Sequence, residues 1–228
     1  KNLMVAEMAF LADAGYVVAS MYYRSSAEEH MPSQIIDVKT AIRFLRAHAD
    51  EYEIDPEHIG IIGRSAGGQL SALAAMNSDS YESEEWSAYS SHVQACCDMF
   101  GPVDFVKLIE DDALEMRTNP NCRWKKPEDT HAGALFGGDM STLKERAKPY
   151  CPPYILTKEM CPILILHGDC DKLVSCDISE AFYDDIVKAG MEDRADLYIL
   201  HGAGHGTKEF FQQETKEIIR AFFDKNLK

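Results

Sequence analysis

The sequence predicts an α/β protein, a mostly parallel central sheet with helices on both faces. Three observations predict it. Short apolar runs without polar alternation, such as Ile59-Gly60-Ile61-Ile62, read as strands buried on both faces. Other segments carry apolar residues at three- and four-residue spacing, the pattern of a helix with one buried side. The two kinds alternate along nearly the whole chain, as parallel strands joined by helical crossovers require.

Taken in order, Asn2 to Ala14 reads as a helix closed by Gly15 in the C-terminal capping position. Val17 to Tyr22 follows as a strand, β-branched at one end and aromatic at the other. Pro32 stands in the first turn of a second helix, whose stripe is Ile35, Val38, Ile42, Leu45 and Ala49. Arg24 and Asp37 flank this loop and are expected to be structural, one or both largely buried with polar partners, since a buried charge needs a partner. Asp55-Pro56 leads into the strand Ile59 to Ile62, and Ala66 to Met76 is a helix of small and apolar residues. Asn77 to Ser91 is polar and reads as a surface excursion. Strands are expected again at Val93 to Phe100, Pro162 to Leu166 and Ala195 to Leu200. Between the last two, Ile178, Phe182, Ile186 and Ala189 form a helical stripe, and a closing helix carries Phe211, Ile218 and Phe222. Residues 101–161 break the rhythm, being rich in charge and proline and holding Trp124. This stretch is far longer than a connection of about 4–6 residues and reads as a cap-like insertion with short helices over the sheet.

A chain of 228 residues suits one domain, spanning 1–228, with a single large core. The net charge of −15 disfavours nucleic acid and anionic lipid, both of which require a basic surface. No run approaches the ~20 apolar residues of a membrane-spanning helix. The seven cysteines read as free thiols, Cys96 and Cys97 as small core residues, with a Cys170–Cys176 bridge the one conceivable pairing.

The chemistry concentrates at three places. Gly63-Arg64-Ser65-Ala66-Gly67 is a G-x-S-x-G pentapeptide set between an apolar strand and a helix, the setting a nucleophile elbow needs. Glycines on either side let the chain turn sharply, Ser65 projects above the sheet, and the Ala66 amide is free to face an oxyanion. A serine needs a base. His205, in Gly202-Ala203-Gly204-His205-Gly206, lies on a glycine-rich loop after the last strand; His201 reads as packed, and His48, His58 and His131 as surface residues. The base in turn needs an acid. Asp169 and Asp171, in His167-Gly168-Asp169-Cys170-Asp171-Lys172-Leu173-Val174, both compete for that role, and the chain order Ser, Asp, His suits this architecture. Metal sites built on His201 with His205, or on the two aspartates, lack a third ligand.

With these residues in view, the chain resembles the α/β-hydrolase superfamily over nearly its whole length. Within it, the likeness is to bacterial acetyl-esterase and xylan-esterase-like (BD-FAE-like) proteins, neighbours of the hormone-sensitive-lipase-like esterases. The segments that carry it are Gly15 to Arg24, Asp37 to Leu45, Ile54 to Gly60, Gly63 to Gly68, His167 to Val174 and Gly202 to Gly206. In that family's H-G-x-x-D-x-x-V loop the acid is the aspartate before x-x-V, which implies Asp171. The resemblance also implies a serine esterase acting on short acyl esters, such as acetylated or feruloylated sugars, with no cofactor and no metal. The family's His-Gly-Gly segment, which supplies half the oxyanion hole, is absent before Ser65, so this chain is expected to lack an upstream strand that belongs inside the sheet. Two rival readings share the fold. One is a prolyl-oligopeptidase-like peptidase, disfavoured by Ala66 where those enzymes carry an aromatic residue; the other is a non-catalytic binding protein.

Overall fold

The computed structural model describes residues 6–228. Its elements, in chain order, are α1 (Ala9–Asp13), α2 (Ser33–Ala47), α3 (Ala49–Tyr52), β1 (Gly60–Arg64), α4 (Ala66–Ala75) and β2 (Ala95–Met99). They continue with α5 (Phe105–Thr118), α6 (His131–Phe136), α7 (Leu143–Ala147), β3 (Ile163–Gly168), α8 (Cys176–Lys188), β4 (Ala195–Leu200) and α9 (Gln213–Leu227). Among the described residues no helix is long and apolar enough to cross a membrane.

The four strands pair in sequence order, β1-β2-β3-β4, and every pairing is parallel. Successive side chains of a strand point to opposite faces, so β2 and β3 feed two cores. Cys96, Ile163 and Ile165 join Ile35, Val38, Leu70, Ile178 and Phe182 on one face. Ala95, Cys97, Met99, Leu164 and Leu166 join Met8, Leu11, Phe222, Phe223 and Leu227 on the other. Right-handed crossovers between neighbouring strands in sequence order place α4 and α8 on one side, leaving the opposite side to α1 and α9.

Several expectations need correction. Val17 to Tyr22 is not a strand: it pairs with no strand among the described residues, and Val17 is 56% and Tyr22 55% exposed. A strand exists only where a neighbour takes its backbone groups, and among the described residues β1 has a partner strand on one side alone. Between them lies a groove of about 940 Å³, lined by Val17 to Met21, Tyr23 and Gly60 to Arg64. For the same reason β1, expected as a buried central strand, is only half-buried at Ile61 and Ile62, whereas β2 and β3 are buried throughout. The helix expected at Asn2 to Ala14 is present over the described residues, at residues 6–7 and again at Ala9–Asp13 with a turn at Met8 between them, and the part of that expectation before Ala6 lies outside the described residues. Phe211 precedes α9 in a 3-10 turn, and the buried face of α9 is Thr215, Ile219, Phe222, Phe223 and Leu227.

Arg24 and Asp37 are paired, as expected, through a fork of bonds at 2.7–3.1 Å, and of the two Asp37 is the more buried, its side chain 23% exposed against 41% for Arg24. The polar stretch after α4 is pinned rather than loose. Lys39 and Arg43, both buried on α2, ion-pair with Glu82 at 2.7 Å and donate to the carbonyls of Ser78, Ser80 and Ser83. All seven cysteines are free thiols.

Candidate active site

Ser65 sits between β1 and α4 with φ +52° and ψ −122°, a backbone state that L residues seldom adopt. The turn is held from both sides. The Ser65 amide donates to the Met99 carbonyl at 2.9 Å, and its own carbonyl accepts the first helical bond from Gln69 at 3.1 Å. Gly63 is obligatory here, because a Cβ on it would stand 2.1 Å from the Gly67 carbonyl oxygen. The glycine on the other side is less constrained: a Cβ on Gly67 would meet nothing nearer than the Tyr23 hydroxyl at 3.9 Å. The second tight position is Gly68, where a Cβ would lie 2.3 Å from Asp98 Oδ1. Ala66 opens α4, so its N–H belongs to the first-turn amides that have no carbonyl behind them in the helix.

The structure brings Ser65, His205 and Asp171 together at the carboxyl ends of the strands. His205 Nε2 lies 2.8 Å from Ser65 Oγ, and His205 Nδ1 lies 2.7 Å from Asp171 Oδ2. A carboxylate only accepts, so Nδ1 carries the hydrogen and Nε2 is left to accept from the serine. The His205 loop is set by the Phe100 ring, which meets the imidazole edge-on at 4.8 Å and itself packs on Phe210. Asp171 Oδ1 accepts from the amides of Leu173 at 2.8 Å and Val174 at 3.0 Å. Burial works to raise the pKa of this carboxyl. Hydrogen bonds from His167, His205 and the two amides outweigh it and hold Asp171 well below the ordinary carboxylate range. Asp169 faces elsewhere, accepting from the Gly202 amide at 2.7 Å and meeting His201 Nδ1 at 2.9 Å. His201, expected to be packed, is instead 87% exposed on its side chain.

Two residues beside the site carried no role in the sequence reading. Asp98, at the end of β2, is fully buried, and burial pushes its carboxyl up to about 7. One of its oxygens accepts from the Gly101 amide at 3.0 Å and the other has no partner. Its signal was a lone carboxylate inside Ala95-Cys96-Cys97-Asp98-Met99-Phe100, an otherwise apolar run. His167, fully buried at the end of β3, reaches Ser179 Oγ at 2.7 Å, the Val174 carbonyl at 3.0 Å and Asp171 Oδ2 at 3.4 Å.

The BD-FAE family model matches residues 1–186. The chain is similar to a probable carboxylic ester hydrolase, LipM, of Mycobacterium tuberculosis, with 31% identity over 78% of this chain and 39% of that protein. It therefore spans about two fifths of that relative's length. Among solved structures it is similar to a truncated form of a carbohydrate esterase from gut microbiota, at 32% identity and a TM-score of 0.74, covering 91% of this chain and 73% of the other. It is also similar to a bifunctional GH43-CE protein of Bacteroides eggerthii, at 28% identity and a TM-score of 0.82, covering 98% of this chain and 29% of the other.

Proposed function

The chain belongs to the BD-FAE family and has the α/β-hydrolase fold, and from that premise we propose that it acts as a carboxylic-ester hydrolase. Its substrates are short acyl esters, acetylated or feruloylated carbohydrates among them, cleaved by a Ser65–His205–Asp171 acyl-enzyme cycle. One observation carries the reading: an unbroken hydrogen-bonded path from Asp171 through His205 to Ser65, with bonds of 2.7 and 2.8 Å, ending on a serine held at positive φ.

In the first step His205 Nε2 takes the Ser65 proton as Oγ bonds to the ester carbonyl carbon, and Asp171 supports the imidazolium through Nδ1–H. The negative charge that develops on the carbonyl oxygen faces the Ala66 amide, and removing one such donor typically costs ~10²–10³ in rate. When the carbonyl reforms, the carbon–oxygen bond to the alcohol breaks and the alcohol leaves with the proton from Nε2. Water then gives its proton to Nε2 and attacks the acyl-enzyme, which releases the carboxylic acid and restores Ser65. The carbohydrate ester class is supported by the names of two similar structures, a carbohydrate esterase and a GH43-CE protein.

The test is labelling with a fluorophosphonate probe together with hydrolysis of short-chain aryl esters. Ser65 takes up the label, and Ser65→Ala lowers turnover by several orders of magnitude, since nucleophile and base act as a unit. Full turnover in Ser65→Ala, or activity abolished by a chelator and restored by zinc, would overturn the proposal and move the chemistry to metal-bound water. An unlabelled Ser65 in folded protein would instead favour the non-catalytic binding reading.

A further inference from the structure

We infer that His167 is a positioning residue, a buried second imidazole that shares Asp171 Oδ2 with His205 and keeps the carboxylate aimed at the base. The inference rests on the triad reading above and adds a residue to it. His167 ends β3, and its side chain is wholly enclosed. Each of its ring nitrogens has one assigned partner. Nε2 is 3.0 Å from the Val174 carbonyl, which can only accept, so Nε2 carries a hydrogen. Nδ1 is 2.7 Å from Ser179 Oγ on α8, which is itself fully buried, and in the neutral ring the serine hydroxyl donates to it. The tautomer is thus dictated from two sides.

The consequence lies 3.4 Å away. The same Nε2–H leans toward Asp171 Oδ2, the oxygen that His205 Nδ1 holds at 2.7 Å. Oδ1 of that carboxylate is occupied by the Leu173 and Val174 amides. Both oxygens are therefore held, and the carboxylate has no rotation open to it that keeps these contacts. Since Val174 gives its amide to Asp171 and its carbonyl to His167, the imidazole also closes the acid loop against β3 and α8. A group with a purely packing role would have no reason to place an N–H against the oxygen that orients the base. Other titratable groups whose charge reaches this set are Asp98 on β2, toward His167, His131 on α6, toward His205, and Cys176 on α8, toward Asp171.

Three variants and one spectrum test this. In His167→Gln the side-chain amide reaches the place of Nε2, whereas in His167→Asn it reaches only the place of Nδ1. His167→Phe fills the volume without either nitrogen. The expected result is kcat within ~3-fold of the wild type in His167→Gln and lowered ~10–100-fold in His167→Asn and His167→Phe, with KM unchanged within ~2-fold in all three. The acidic limb of kcat/KM also moves upward in His167→Phe, because Asp171 Oδ2 then gives its charge to His205 alone. Equal losses in His167→Gln and His167→Phe, or an unchanged kcat and limb in folded His167→Phe, would overturn the inference. The spectrum needs no variant: ¹⁵N-histidine NMR of the wild type shows His167 with its proton on Nε2, and a proton on Nδ1 alone would overturn the inference. Turnover surviving Ser65→Ala removes the triad itself, a failure distinct from each of these.

Discussion

Asp171 and Asp169 stand two positions apart in one loop, and at the residue scale their difference is which histidine each faces. Asp171 is enclosed and bonded to His205, while Asp169 is solvent-facing and bonded to His201. Asp171→Asn leaves the shape intact but allows the wrong His205 tautomer, so kcat falls by about 10³–10⁴. Asp169→Asn changes turnover by less than ~3-fold, and steady-state assays of the two variants check the pair. Asp98 makes a second prediction, about stability. Its carboxyl, raised from 3.8 to about 7 by burial, keeps its proton in the folded state where the unfolded chain has released it. Folding stability from this group is therefore full below about pH 4, falls as the pH rises to about 7, and is flat above. At about 1.4 kcal/mol per pH unit the ceiling is about 4 kcal/mol. Asp98→Asn, which does not ionise, unfolds at higher denaturant than the wild type at pH 8, by about 1–3 kcal/mol, and the gap closes towards pH 4.5.

At the scale of elements, the β1–Ser65–α4 turn depends on how closely helix and strand approach. A methyl group on Gly63 would lie 2.1 Å from a backbone oxygen that no side-chain rotation can move, whereas Gly67 has room. Gly63→Ala is expected to destabilise the fold by more than about 3 kcal/mol and abolish labelling of Ser65. Gly67→Ala leaves stability the same or raises it by up to about 1 kcal/mol, because alanine favours the helix. Denaturant titration separates the two. The stretch after α4 shows another side of element-scale logic. Its polar composition reads as solvated, yet Glu82 meets two buried cations of α2 and fastens it there. Trp86 adds an edge-on contact to Phe44 at 5.7 Å. Composition reveals that a segment is polar but not that its charges have partners far along the chain.

On the scale of the molecule, a net charge of −15 in a chain of 228 residues repels itself most strongly in the compact state. Screening lengthens this chain's tolerance to heat: the thermal midpoint is expected to rise between about 0.01 and 0.15 M salt, as the Debye length shrinks from about 30 to about 8 Å. A midpoint that falls, as measured by calorimetry, would assign net stabilisation to the surface ion pairs instead. The sequence by itself determined the α/β class, the places of all four strands and the elbow at Ser65, because strand burial, helical periodicity and the glycine requirement of a sharp turn are local properties. It carried the loops of His205 and Asp171 too, since those follow strand ends. Only the tertiary structure decided that Asp169 turns to His201 instead, that His201 is exposed, that His167 leans on Asp171, and that Val17 to Tyr22 stays unpaired among the described residues. The Asp169–His201 contact joins groups 32 residues apart in the chain at 2.9 Å, and the Ser65–His205 contact joins groups 140 residues apart at 2.8 Å. Sequence spacing records a residue's own strand or helix, whereas a hydrogen bond or a strand pairing is made with whatever the rest of the fold places alongside.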